Sequence, residues 1–175
     1  IKIKLRGSAG QSLGAFGAKG VKFEVIGDCN DYVGKGLSGA TISVRPPKSS
    51  NLETNKNTII GNTVLYGATS GNLFAAGQAG ERFSVRNSGA TAVVEGAGTN
   101  ACEYMTGGCS VILGELGDNF AAGMTGGMAF VYNPEDNLSD VINRASVVWQ
   151  RIETKYWDDF LYSLIQKHIE ETHSD

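Results

Sequence analysis

Glycine returns along this chain at a spacing of 19 residues. Gly20 and Gly39 are 19 apart, Gly61 and Gly80 are 19 apart, and Gly89, Gly108 and Gly127 take two further steps of 19. An alternating apolar run follows most of them: "VKFEV" after Gly20, "ATISV" after Gly39, "ATAVV" after Gly89, "CSVIL" after Gly108 and "MAFVY" after Gly127. Period-2 alternation marks a strand with one buried face. A glycine ahead of the strand marks a bend in which the backbone takes φ > 0. Even the letters of one corner repeat, with Met-Thr-Gly-Gly beginning at 105 and again at 124.

A turn and a strand repeated at a fixed period are the mark of a solenoid. With each residue of strand covering about 3.3 Å, such a repeat holds two or three short strands and their turns. One coil cannot bury its own inner face; its neighbours do so, each strand pairing in parallel with its equivalent one coil away. The expected fold is therefore all-β: a right-handed, single-stranded parallel β-helix of about 19 residues per coil, followed by an α-helical tail. The handedness rests on the strong preference for right-handed crossovers between parallel strands. The register slips in places, and the loop-like stretch "RPPKSSNLETNKN" accounts for one slip.

The chain has 24 glycines, against about 12 at an average usage near 7%. None lies in the last 48 residues. Composition thus divides the chain into a glycine-rich β-helix over residues 1–133 and a tail over 134–175. In the tail Val141, Ala145, Val148, Trp149 and Ile152 have helical spacing, continued by Phe160, Leu161, Leu164, Ile165 and Ile169. This predicts two helices broken near Thr154, the first capped by Asn137 or Ser139, with Trp149 and Trp157 as packing residues. The helices are expected to pack on or beyond the β-helix, where they could cover an open end whose strand edge is unpaired.

The formal charge of −3 and the lack of a Lys/Arg run predict no nucleic-acid partner. No apolar run reaches the length of a membrane span, and "IKIKLRGSAG" does not read as a signal peptide. Cys29, Cys102 and Cys109, an odd and sparse set, read as reduced thiols of a cytoplasmic protein. The sequence opens in mid-strand without Met, as expected of a piece of something longer.

Each motif with chemical potential has a blander reading that fits better. "GKGLSG", Gly34 to Gly39, has the glycine pattern of a dinucleotide fingerprint, but that motif needs a helix after it. "ATISVRPP" follows instead, and it reads as a strand. The two histidines, His168 and His173, both lie in the tail, so the body has no Ser-His or Cys-His pair of its own. Cys102 and Cys109 lack zinc-site spacing and read as buried small residues. Asp28, Asp31, Glu95 and Glu103 could form an acid/base pair of the kind that cleaves saccharides, although the body has few aromatics for stacking a sugar. Clustered N–H groups at the corners could hold an anion, but turns without a ligand are commoner. The Asn137-Leu138-Ser139 sequon carries little meaning in a cytoplasmic chain. No catalytic, cofactor-binding or metal-binding residue is expected in this chain.

Two long stretches carry a resemblance. "GSAGQSLGAFGAKGVKFEVIGDCNDYVGKGLSGATISVRPP" and "IIGNTVLYGATSGNLFAAGQAGERFSVRNSGATAVVEGAGTNACEYMTGGCSVILGELGDNFAAGMTGGMAFVY" resemble the C-terminal GXGXG domain of glutamate synthase large subunits. The resemblance implies a right-handed β-helix without catalytic residues, packed against amidotransferase, central and FMN-binding domains, with the small subunit a further candidate partner. It implies a parent enzyme that converts glutamine and 2-oxoglutarate into two glutamates with FMN, an iron–sulfur cluster and a channel for ammonia. Neither cofactor would be bound by this chain. "LIQKHIEETHSD" resembles a tail stretch after which family members run on. "NDYVGKGLSG" also suits a β-helix subunit of formylmethanofuran dehydrogenase, whereas "GERFSVRNSGATAVVEG" and "CEYMTGG" favour glutamate synthase. A freestanding carbohydrate-active β-helix is the third alternative.

Overall fold

The computed structural model of the chain describes residues 1–174. Its strands are β1 (Lys2–Ser8), β2 (Lys22–Asp28), β3 (Ser38–Arg45), β4 (Thr58–Ile60), β5 (Ser70–Ala75), β6 (Gln78–Ala79), β7 (Ser88–Val94), β8 (Thr106–Ile112) and β9 (Gly126–Val131). A 3-10 turn, Thr54–Lys56, precedes β4; α1 (Leu138–Val141) and α2 (Lys155–Thr172) follow β9. Seven strands form one parallel sheet in the order β1-β2-β3-β5-β7-β8-β9. A second, narrower wall is built from β4 paired with β6 and from single bridges that link Cys29 to Ile60 and Ala79 to Ala97 to Leu116. This is the stacked coil that the glycine period predicts.

Register gives the length of each coil. Lys2 pairs with Lys22, Lys22 with Thr41, Thr41 with Asn72, Asn72 with Thr91, Thr91 with Cys109 and Cys109 with Met128. The steps are 20, 19, 31, 19, 18 and 19 residues, so only the third departs far from 19. Its surplus of 12 (31 less 19) is the insertion read at "RPPKSSNLETNKN", which bulges out and re-enters through β4. Every other coil reproduces the last, so long-range contacts dominate although each joins only neighbouring coils.

The inward column of the large sheet reads Val25, Val44, Ala75, Val94, Ile112 and Val131, each beside the next. It meets Val33, Leu37, Val64, Leu65, Phe83 and Met105 from the turns that join the walls in one buried core. The outward column is where the alternation rule falls short. It begins with Lys4, Glu24 and Ser43, then turns apolar with Phe74, Val93, Val111 and Phe130. These last four are buried under α2 with Cys109, against Leu164 of the helix, so β5, β7, β8 and β9 are covered on both faces.

The tail differs from expectation in two ways. Only one long helix forms. The predicted first helix is a single turn, α1, and residues after Asn143 run on without regular structure as far as α2. Its later apolar positions are left at the surface: Val148 is 99% exposed and Ile152 45%. Asn137 and Thr154 occupy the positions just before the helices, but neither side chain makes a capping bond. In addition, α2 covers a face of the solenoid rather than an end. Trp157 packs on Phe130 of β9, Leu164 on the middle strands, and Glu171 pairs with Lys22 of β2. The helix thus runs back along the coil axis. Its 18 residues span about 27 Å at 1.5 Å each, enough to cover the roughly 24 Å of the five inter-strand spacings from β9 to β2.

Candidate functional site

The corner between the two walls repeats a motif more regular than the glycines. Residues at alternating positions take left-handed φ: Ser12, Gly14 and Phe16; Tyr32, Gly34 and Gly36; Thr63, Leu65 and Gly67; Arg82, Ser84 and Arg86; Asn100, Cys102 and Tyr104; Asn119, Ala121 and Gly123. Their N–H groups point alternately up and down the stack. Tyr32 donates to Asn62 O, Gly34 to Leu13 O and Gly36 to Tyr66 O. Stacking bonds therefore hold non-glycine residues where φ > 0 alone would disfavour them. This geometry is the "GKG" of the apparent dinucleotide motif, whose two glycine N–H groups are already used between coils and whose lysine N–H bonds Tyr32 O within the turn.

Among the seven glycines singled out from sequence, Gly20, Gly39, Gly108 and Gly127 have positive φ, whereas Gly61, Gly80 and Gly89 do not. For Gly61 and Gly80 the reason for glycine is space. Asp31 Oδ1 accepts from Asn62 N–H at 2.7 Å, and Asn62 Oδ1 accepts from Glu81 N–H at 2.8 Å. In each case the side chain crosses the glycine of the next coil: a Cβ on Gly61 would sit 2.3 Å from Asp31 Oδ1, and one on Gly80 2.3 Å from Asn62 Oδ1. The corner N–H groups that might have held an anion are thus capped from within. A further ladder joins Asn100, Asn119 and Asn143, bonded at 2.7 and 2.8 Å. With the bridge from Phe120 to Ile142, it carries the stacking past β9.

The four carboxylates are not gathered. Asp28 and Asp31 line one shallow groove with Asn30 and Ile60. Glu103 pairs with Arg82 at 2.8 Å on an exposed corner. Glu95 is buried elsewhere, 3.2 Å from His168 Nε2. Among the described residues, the Glu95–His168 pair is the one buried union of titratable side chains that the body and tail make together, and sequence reasoning missed it because the partners are 73 residues apart. Ser174 Oγ also donates to Glu95 Oε1, while His168 O accepts from Thr172 Oγ1 at 2.7 Å. Burial raises the Glu95 carboxyl, but bonds from His168, Ser174 and Thr54 outweigh this and leave it below the usual carboxylate range. The arrangement ties strand, insertion and helix together; neither the groove beside Asn62, Gly80 and Gly98 nor the one beside Asp28 and Asp31 is lined by Glu95 or His168.

Glu24 is the centre of a second charged group, bonded by Lys2 at 2.9 Å and Lys4 at 3.2 Å, with Arg45 at 3.8 Å. Lys2 pulls its carboxyl down to about 2, against the opposing effect of burial. The three thiols are free and buried. Burial pushes Cys29 and Cys102 up to about 12 and Cys109 up to about 11. The described residues hold no group of three or more His, Cys, Asp or Glu suited to a metal. No described helix is long and apolar enough to cross a membrane.

Comparison with known proteins follows the same lines. The family described as "GXGXG motif" matches residues 1–175. The chain is 70% identical over 174 residues, 99% of its length, to a glutamate synthase [NADPH] large chain of Azospirillum brasilense. It is 53% identical over 174 residues to a ferredoxin-dependent glutamate synthase of Pyropia yezoensis, and 54% over 168 residues to a glutamate synthase [NADH] of Schizosaccharomyces pombe. It spans only 12%, 11% and 8% of these three proteins.

Proposed function

The chain belongs to the GXGXG motif family, and from that membership we propose that it is a non-catalytic structural domain of a glutamate synthase large chain. The observation that carries this reading is the 70% identity, sustained over 99% of the chain, to a protein in which the matched stretch makes up 12%. The parent reaction is the conversion of glutamine and 2-oxoglutarate into two glutamates. Amidotransferase, central and FMN-binding domains are the proposed neighbours, the small subunit being a further one. FMN and the iron–sulfur cluster are assigned to those other parts. The compartment proposed is the cytoplasm, in keeping with three free cysteines.

A stacked solenoid suits such a role. Each coil is bonded to the next along two walls and a corner, so the distance between its ends is fixed. Holding reacting groups at set positions contributes to rate without touching the substrate. The test is made in the intact large chain with Gly89→Ala, which places a Cβ 2.1 Å from Thr69 O between two coils. Glutamine hydrolysis and ammonia-dependent glutamate formation are measured separately, then together. A scaffold role predicts that both partial reactions survive while glutamate formed per glutamine hydrolysed falls. Complete loss of one partial reaction, with the other intact, would overturn it.

A further inference from the structure

From the exposed segment between α1 and α2 we infer a docking strip for another domain of the same large chain; this rests on the reading just given. Residues 148–156 are all exposed, and they include Val148 at 99%, Trp149 at 42%, Ile152 at 45% and Tyr156 at 69%. Four large apolar side chains in nine residues is a density met at interfaces more than on free surfaces. The strip is also continuous with the covered part of the fold. The Tyr156 ring stands edge-on to Trp157 at 4.9 Å, and Trp157 packs on Phe130 of β9.

The backbone supplies a second, independent observation. Among the described residues, positions 148–153 neither donate nor accept a backbone hydrogen bond. The segment is nonetheless anchored at both ends: Val147 packs into the main core, Arg151 pairs with Asp136 at 3.1 Å, and α2 begins at Lys155. A segment outside helix and strand, with free N–H and C=O groups and apolar side chains, is suited to pairing with the edge of another sheet or loop. It also explains why helical spacing here gives no helix, since the apolar side chains face a surface outside this chain.

The occupant is a neighbouring domain of the same polypeptide. The relatives carry close to nine-tenths of their length outside the matched stretch. A tethered domain also meets this strip at an effective concentration, about millimolar for a short flexible link, that a separate molecule rarely reaches. It would present an apolar pocket to Val148 and Trp149 and backbone partners to residues 150–153.

Hydroxyl-radical footprinting of the intact, purified large chain tests this. Labelling of Trp149 and Tyr156 is compared with the same residues in the urea-unfolded chain. Protection well beyond that given by their exposure in this fold is expected, and labelling in proportion to that exposure would overturn the proposal. A Val148→Cys variant bearing a short photoreactive cross-linker, in a mixture of light and isotopically heavy enzyme, then identifies the occupant. Cross-links to peptides outside this chain in the same molecule support the proposal. Links joining light to heavy copies, links to a different protein, or none at all would overturn it. Failure of the scaffold reading is distinguishable, because it appears as a lost partial reaction and leaves the footprint unchanged.

Discussion

His168 Nε2 lies 3.2 Å from Glu95 Oε1, joining the C-terminal end of α2 to the residue just after β7. Both side chains are almost wholly buried, at 2% and 8% exposure. Removing one partner of a buried hydrogen-bonded pair costs about 1–3 kcal/mol, although Glu95 keeps its bond from Ser174. His168→Ala should therefore loosen α2 from the sheet. The expected result is faster hydrogen exchange throughout α2, with the inner ladder from β5 to β8 unchanged. Equal acceleration in helix and ladder would show that the pair supports the whole fold rather than the helix.

The same pair gives an acid dependence. The Glu95 carboxyl lies below its ordinary 4.5 in the fold, and Glu24 lies at about 2. A carboxyl depressed on folding stabilises the fold above its unfolded value, and that contribution is lost as pH falls through the folded value. Stability should hold from neutral pH to about 4.5 and then decline toward 2. The urea midpoint measured across this range checks it. Glu24→Gln should flatten the decline, because Lys2 and Lys4 then face a group that does not titrate.

The thiols offer a third readout. Only thiolate attacks thiol reagents readily, and all three thiols are buried with pKa values pushed to about 11 or 12. The native chain at pH 8 should resist labelling and react at three sites once unfolded. Cys109 sits in the cluster beneath α2, whereas Cys29 and Cys102 belong to the inner core. In His168→Ala, Cys109 should label first. Prior reaction of Cys102 would mean that the coils open before the helix lifts.

Sequence disclosed the repeating part of the molecule and concealed the unique part. The step from Gly108 to Gly127 could be read because the later coil meets the same surroundings as the earlier one. Cys102 and Ala121 in left-handed conformation could not, since stacking bonds rather than residue type put them there. Burial of Phe74 and Val93 on the outward face depends on where α2 comes to rest, which no local period encodes. The same holds for His168 and Glu95. Helical spacing from Val141 to Ile152 misled because spacing shows that one face is apolar, while the partner decides whether a helix forms around it.

Asn62 and Gly80 should behave as a single unit in the corner. Asn62 Oδ1 reaches Glu81 N–H at 2.8 Å only because Gly80 has no side chain to obstruct it. Asn62→Ala removes the acceptor, at a cost of about 1 kcal/mol for an exposed hydrogen bond. Gly80→Ala places a Cβ 2.3 Å from that oxygen and 2.9 Å from the Gly61 carbonyl carbon, so it should break the same bond and add backbone strain. The double variant should therefore lose less than the sum of the single ones, since the bond can be broken only once. Gly67→Ala is the contrast: its φ is +63° and nothing lies within 4 Å of the new Cβ, so only the left-handed conformation, at about 1–2 kcal/mol, opposes it. Chemical denaturation of the four variants separates the cases. Strict additivity between Asn62→Ala and Gly80→Ala would show that the glycine serves backbone packing alone.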